Sequence, residues 1–132
     1  MNPVPFILII VSLPLLLGGC GEKEMTQREL EVRDGLMYIK DSETLYTGEQ
    51  FLFYENGQKE QKVNYKDGKF NGFAISWHEN GKKKMEGSWK NGKEDGLHTQ
   101  WHESGKKSME SQYKDGVESD VKAWRVTGEQ IE

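Results

Sequence analysis

Phe73-Ala-Ile-Ser-Trp-His-Glu-Asn-Gly81 returns 24 residues later as Leu97-His-Thr-Gln-Trp-His-Glu-Ser-Gly105, and this pair decides the fold. In the first copy Phe73, Ile75 and Trp77 alternate with Ala74, Ser76 and His78, the two-residue period of a half-buried strand. Glu79-Asn80-Gly81 supplies a turn, and Met85 and Trp89 resume on odd positions beyond it. A two-residue loop at Asn80-Gly81 would set Trp77 opposite Lys84 and divide the apolar residues between the faces. A three-residue loop with Gly81 left-handed pairs His78 with Lys82 and Ile75 with Met85, and gathers the odd positions on one face. The three-residue loop is therefore the expected one.

The same interval extends outward from this pair. Gly57, Gly81 and Gly105 are 24 apart, as are Gly68, Gly92 and Gly116, Tyr65, Trp89 and Tyr113, and Phe53, Trp77 and Trp101. A period of this size means that one supersecondary unit recurs. Trp124 and Gly128 fall one residue early, as expected of a decayed terminal copy. Asp67-Gly68, Asn91-Gly92 and Asp115-Gly116 make the return turns. The expected fold is all-β: an elongated, twisted antiparallel meander of some eight short strands in β-hairpin repeats. On the odd-position register one face carries Phe51, Phe53, Val63, Tyr65, Phe73, Ile75, Trp77, Met85, Trp89, Leu97, Trp101, Met109 and Tyr113. Such a face must be hidden by curling, by a homodimer partner or by a terminal segment, and a curved sheet or a dimer is expected over a flat monomer. Its aromatic residues Phe53, Trp77, Trp89, Trp101 and Tyr113 form the candidate binding face.

The start of the chain has a different composition. Residues 3–17 hold one polar side chain, Ser12, and the first charged one is Glu22. The run Phe6 to Leu17, polar only at Ser12, is short of the roughly 20 residues that span a bilayer. It is followed by Gly18, Gly19 and the sole cysteine, Cys20, the order of a secretory signal and its processing site. Leu17-Gly-Gly-Cys20 resembles the lipobox of bacterial lipoproteins. The resemblance implies cleavage between Gly19 and Cys20, acylation of the Cys20 thiol, and a membrane anchor. Gly21 rather than Asp follows the cysteine, which implies outer-membrane sorting in a Gram-negative cell, periplasmic or surface-facing. The expected organisation is a signal peptide over 1–19, a lipid-anchored polar tether over 20–34 and the repeat domain over 35–132.

The units Gly72-Phe-Ala-Ile-Ser-Trp-His-Glu-Asn-Gly81 and Tyr65-Lys-Asp-Gly68 resemble the bacterial variant of the MORN repeat. Arg33-Asp-Gly-Leu-Met-Tyr38 and Tyr46-Thr-Gly48 are similar to the lead-in of YwqK-type antitoxins of toxin–antitoxin systems. Similarity runs over roughly residues 33 to 127, and it implies a β-hairpin array and an antitoxin-like neutralising role.

Composition and motifs point to binding rather than catalysis. The histidines, His78, His98 and His102, all fall on even positions and so on the polar face. Four residues of strand separate His98 from His102 by about 13 Å, too far to share one ion. No metal or cofactor site is expected, and neither a nucleophilic triad nor a phosphate loop is present. The chain carries 18 basic and 22 acidic residues, a net −4, yet between Asn56 and Lys107 there are 11 lysines against 7 acids. Lys82, Lys83, Lys84, Lys106 and Lys107 recur at equivalent hairpin positions and form a candidate basic edge for anionic lipid or glycan. Nucleic acid is disfavoured by the export signal and the net charge. The expected function is a non-catalytic protein-binding module at the envelope, with the basic edge and the antitoxin-like role as alternatives. Radiolabelled palmitate should enter the wild-type chain and not Cys20→Ser, which should accumulate as the unprocessed precursor. Normal processing and membrane retention of Cys20→Ser would refute the anchor.

Overall fold

A computed structural model describes residues 25–26 and 29–131. In chain order the strands are β1 (Met25–Thr26), β2 (Leu30–Arg33), β3 (Leu36–Ile39), β4 (Gly48–Phe53), β5 (Lys59–Lys66) and β6 (Lys69–Trp77). They continue as β7 (Lys83–Lys90), β8 (Lys93–Glu94), β9 (Gly96–Trp101), β10 (Lys107–Lys114), β11 (Val117–Trp124) and β12 (Gln130–Ile131). One ten-stranded sheet runs β1-β4-β5-β6-β7-β9-β10-β11-β12, with β8 also on β7, and β2–β3 form a separate hairpin. The all-β antiparallel meander is as the repeat predicted. Among the described residues the one parallel pairing is β1 against β4.

Two turn types alternate along it. Asp67-Gly68, Asn91-Gly92 and Asp115-Gly116 have both residues at positive φ, the type I′ geometry that matches strand twist. The other turns are the expected three-residue loops: His78 N–H donates to the Lys82 carbonyl at 2.8 Å, Gly81 N–H donates to that of His78, and Gly81 has φ +81°. The register beyond them differs from expectation. Trp77 opposes Lys83, but Ser76 opposes Met85 and Ile75 opposes Glu86, so Lys84 is an extra, bulged residue. Glu60 and Ser108 are extra in the same way, since Phe53 opposes Lys59 while Leu52 opposes Gln61, and Trp101 opposes Lys107 while Gln100 opposes Met109.

One extra residue moves a strand's side chains to the opposite face. The odd positions therefore do not share one face. On the outgoing strands Phe51, Phe53, Phe73, Ile75, Trp77, Leu97 and Trp101 project to one side. On the returning strands Val63, Tyr65, Met85, Trp89, Met109 and Tyr113 project to the other. Cross-strand partners establish the second group: Gln50 faces Val63, Val63 faces Ala74, Ala74 faces Gly87 and Ser111 faces His98.

This second side is the covered face. Val63, Tyr65 and Ala74 are buried with Leu30, Met37 and Tyr46, and Ile39 and Trp89 pack against them. The lid over this part of the face is the β2–β3 hairpin, a segment N-terminal to the repeats, and not a second copy of the chain. Leu30 lies inside the stretch expected to be polar tether, so ordered structure reaches upstream of residue 35. Burial of Leu30, Met37 and Val63 contributes about 1.5–3 kcal/mol for each side chain. A file of rings continues along the covered face. Tyr46, Tyr65, Phe70, Trp89, His98 and Tyr113 follow one another at centroid separations of 5.8, 5.0, 6.0, 4.5 and 4.7 Å.

His98 is buried, not solvent-facing, because its ring lies over Gly87. A Cβ at Gly87 would sit 2.6–2.7 Å from three atoms of the imidazole. Gly87→Ala should accordingly destabilise the fold by about 1–3 kcal/mol, the range for overpacking. In a His98→Ala background the same change should cost little, and a urea double-mutant cycle measures that coupling. Additive losses would mean that the imidazole is not what fills the space above Gly87.

Candidate functional site

The open face of the sheet, which no described segment covers, carries the candidate residues Phe53, Trp77 and Trp101. Trp89 and Tyr113 belong instead to the ring file on the covered face, so the structure divides the predicted aromatic set. The open face adds Trp124, which β11 aligns with them. Because Phe53 opposes Lys59, Trp77 opposes Lys83 and Trp101 opposes Lys107, the row at the three-residue-loop end alternates ring and cation. It reads Phe53, Lys59, Trp77, Lys83, Trp101, Lys107, Trp124. Lys83 Nζ lies 5.6 Å from the Trp101 ring centre and donates to Glu86 Oε2 at 2.6 Å. Lys107 repeats this, 5.7 Å from Trp124 and 2.6 Å from Glu110, whose carboxyl the lysine holds below the usual carboxylate range. One row inward Phe51 is buried beneath Lys59 and Lys62, at 4.8 and 5.5 Å from its ring centre. Phe53, Phe73 and Leu97 stand 51, 63 and 52% exposed on this face.

The predicted basic edge divides as well. Lys82 Nζ donates to the Ser104 carbonyl at 2.8 Å and Lys106 Nζ to that of Thr127 at 2.7 Å, so both tie one loop to the next. Lys83 and Lys107 belong to the open-face row. Lys84, the bulged residue, lines a groove with Tyr54, Glu60, Gln61, Met85 and Gln100.

The histidines follow the same repeat logic. Tyr54 hydroxyl donates to the Trp77 carbonyl at 2.6 Å, and His78 and His102 take its place in the next repeats, reaching the Trp101 and Trp124 carbonyls at 2.9 and 3.0 Å. A carbonyl only accepts, so Nε2 carries the proton in both. His98 Nε2 likewise donates to the Ser88 carbonyl at 2.9 Å. These rings are inter-strand fasteners, a role that an alternating-strand pattern alone does not reveal. The signal was present in the 24-residue spacing of Tyr54, His78 and His102, which sets three polar-tipped rings at one repeat position. Among the described residues no cluster of three or more His, Cys, Asp or Glu could hold a metal ion.

The opposite edge is fastened by the return turns. Gly68, Gly92 and Gly116 N–H groups donate to the Tyr46, Phe70 and Glu94 carbonyls, each at 2.8 Å. The residue before each glycine donates its own N–H to a side chain of the preceding repeat: Asp67 to Thr47, Asn91 to Asn71, Asp115 to Asp95. Asp95 also accepts from Lys114 Nζ at 2.7 Å, and that bond first, then the Asp115 N–H, holds its carboxyl below the ordinary carboxylate range. Burial pushes the Tyr65 hydroxyl up to about 12, and the Glu118 carboxylate does the same to Tyr113.

The MORN repeat variant matches residues 46–67, 71–91 and 94–115. No curated protein and no solved structure matches the chain. Repeats of this kind are in general protein- or lipid-binding modules.

A depressed carboxylate stabilises the fold above its ordinary pKa, and the contribution is lost as pH falls through the lowered folded value. Docking of the last return turn should therefore be intact above about pH 4 and weaken below it. Asp95→Asn should lack that acid-dependent part of the stability. Urea midpoints of both chains across the acid range check it, and parallel curves would show that Asp95 does not bear the effect.

Proposed function

Since residues 46–115 are built of three MORN repeat variants, we propose that this chain is a lipid-anchored, non-catalytic binding scaffold of the cell envelope whose ligand lies on the open face. The observation that carries this reading is the asymmetry of the sheet. The chain's own β2–β3 hairpin covers the Val63, Tyr65 and Ala74 part of one face, while the other leaves Phe53, Phe73 and Leu97 about half in water or more. Apolar side chains that return to solvent at repeat positions, as Phe73 and Leu97 do, mark an interaction surface. The Leu17-Gly-Gly-Cys20 run supports the anchor; it lies outside the described residues.

An anionic ligand, the second reading, would meet the same surface and not a separate edge. Two of the five edge lysines, Lys82 and Lys106, are already bonded to loop carbonyls, whereas Lys83 and Lys107 stand among the indoles. An antitoxin-like role would require an exported target, because the Cys20 reading puts the chain outside the cytoplasm. A second copy of the chain is one of the partners that the open face would accept. Photo-crosslinking in cells separates the two faces. Benzoyl-phenylalanine at position 97, on the open face, should give higher-mass adducts, and at the exposed position 100, on the covered side of the sheet, it should not. Adducts from position 100 alone would place the ligand on the wrong face of this reading.

A further inference from the structure

We infer that the ligand of the open face is a linear glycan with one carboxylate per disaccharide, laid across the β-strands along the row from Phe53 to Trp124. This deepens the scaffold reading and rests on it for the source of the ligand.

The period carries the inference. Adjacent β-strands lie about 4.8 Å apart. Phe53, Trp77, Trp101 and Trp124 sit on β4, β6, β9 and β11, two β-strands apart each time. Ring therefore follows ring at about 9.6 Å, along a line perpendicular to the β-strands. An extended β-linked disaccharide advances by a closely similar length, so every second sugar meets an equivalent ring. The C–H-rich face of a pyranose is the electropositive partner that the negative face of an aromatic ring accepts.

Charge complementarity fixes the class of glycan. Between consecutive rings stands one cation, Lys59, Lys83 or Lys107, and the row itself contains no acid. Glu86 and Glu110 reach Lys83 and Lys107 from the neighbouring row. Each glutamate takes one of three ammonium hydrogens, and a ligand carboxylate would take another beside the indole over which the lysine lies. One ring and one cation per repeat thus match one apolar sugar face and one carboxylate per disaccharide. In the envelope this is the cell-wall glycan stripped of its peptides, whose muramyl residues each carry a lactyl carboxylate. A fluid bilayer surface has no fixed repeat for such a row to match.

The test uses the full-length chain in non-ionic detergent and three probes: peptide-free glycan chains from amidase-digested sacculi, hexa-N-acetylchitohexaose, and glycerophosphoglycerol, the soluble headgroup of phosphatidylglycerol. Tryptophan fluorescence reads binding, and far-UV circular dichroism verifies the fold of every variant. The peptide-free chains should bind, and Trp101→Ala or Trp77→Ala should each weaken them about tenfold. Trp89→Phe, on the covered face, should leave affinity unchanged. The pair Lys83→Gln and Lys107→Gln should weaken the peptide-free chains and flatten their salt dependence, with chitohexaose binding more weakly throughout. Absence of binding to the peptide-free chains, or binding that both tryptophan variants retain, overturns the proposal. Equal affinity for chitohexaose overturns the carboxylate assignment, and tighter binding to glycerophosphoglycerol makes the ligand a lipid headgroup. In each of these cases crosslinks from position 97 would still report a ligand on the open face, so the scaffold reading fails or stands separately.

Discussion

One residue too many in each hairpin governs what this sheet hides and what it shows. Glu60, Lys84 and Ser108 each stand unpaired opposite a pair of partner residues, so the returning strand comes back with its side chains inverted. Large rings then face the solvent from the outgoing strands, while Val63, Gly87 and Ser111 on the returning ones fall on the covered side. The small size of two of these three has a steric use. Gly87 makes room for the His98 ring, which inserts itself into a continuous file of aromatic contacts from Tyr46 to Tyr113. Without the bulge the rings of the outgoing and returning strands would share one side, a wider face than the β2–β3 hairpin spans.

A sheet whose repeats touch only their neighbours must be held at each junction, and here both edges hold it with polar atoms. At the loop end a ring with a polar tip reaches forward to a tryptophan carbonyl, and a lysine ammonium reaches the next loop. At the return-turn end two backbone N–H groups reach back to the preceding repeat. These bonds cap carbonyl and amide groups that turns would otherwise leave to water. They also explain why polar residues recur as faithfully as the apolar ones. All three histidines and Lys82 and Lys106 are thereby structural, bonded to backbone carbonyls of a neighbouring strand or loop.

Hairpin covering and open face together give the molecule a direction. The β2–β3 hairpin closes the covered face beside the N-terminal end of the array, the end from which the chain runs back toward Cys20. An anchored chain would therefore carry its lid near the membrane end of the sequence and its ring-and-lysine row on the other side of the sheet. A binding surface built from repeated units has equivalent subsites by construction, because each residue type returns at the same place on every second strand.

The fold class was legible in the residues because it rests on periodicity, and periodicity survives without coordinates. The spacing of 24, the Asn-Gly and Asp-Gly return turns and the left-handed Gly81 all follow from local backbone chemistry, and each is found in the structure. The sharing-out of side chains between the faces was not legible. A bulge has no residue signature of its own: Glu60, Lys84 and Ser108 are chemically unlike, and only the pairing with the opposite strand reveals that one residue is extra. For the same reason His98 looked exposed and Trp89 looked like part of a binding face. The lid was hidden too, since Leu30 sits among charged neighbours and gains its partners only when β2–β3 folds over Val63, Tyr65 and Ala74. Local sequence determined the strands and turns because their energies depend on neighbours in the chain. The register, the covered face and the open row were decided by contacts between residues far apart in sequence, which only the folded sheet brings together.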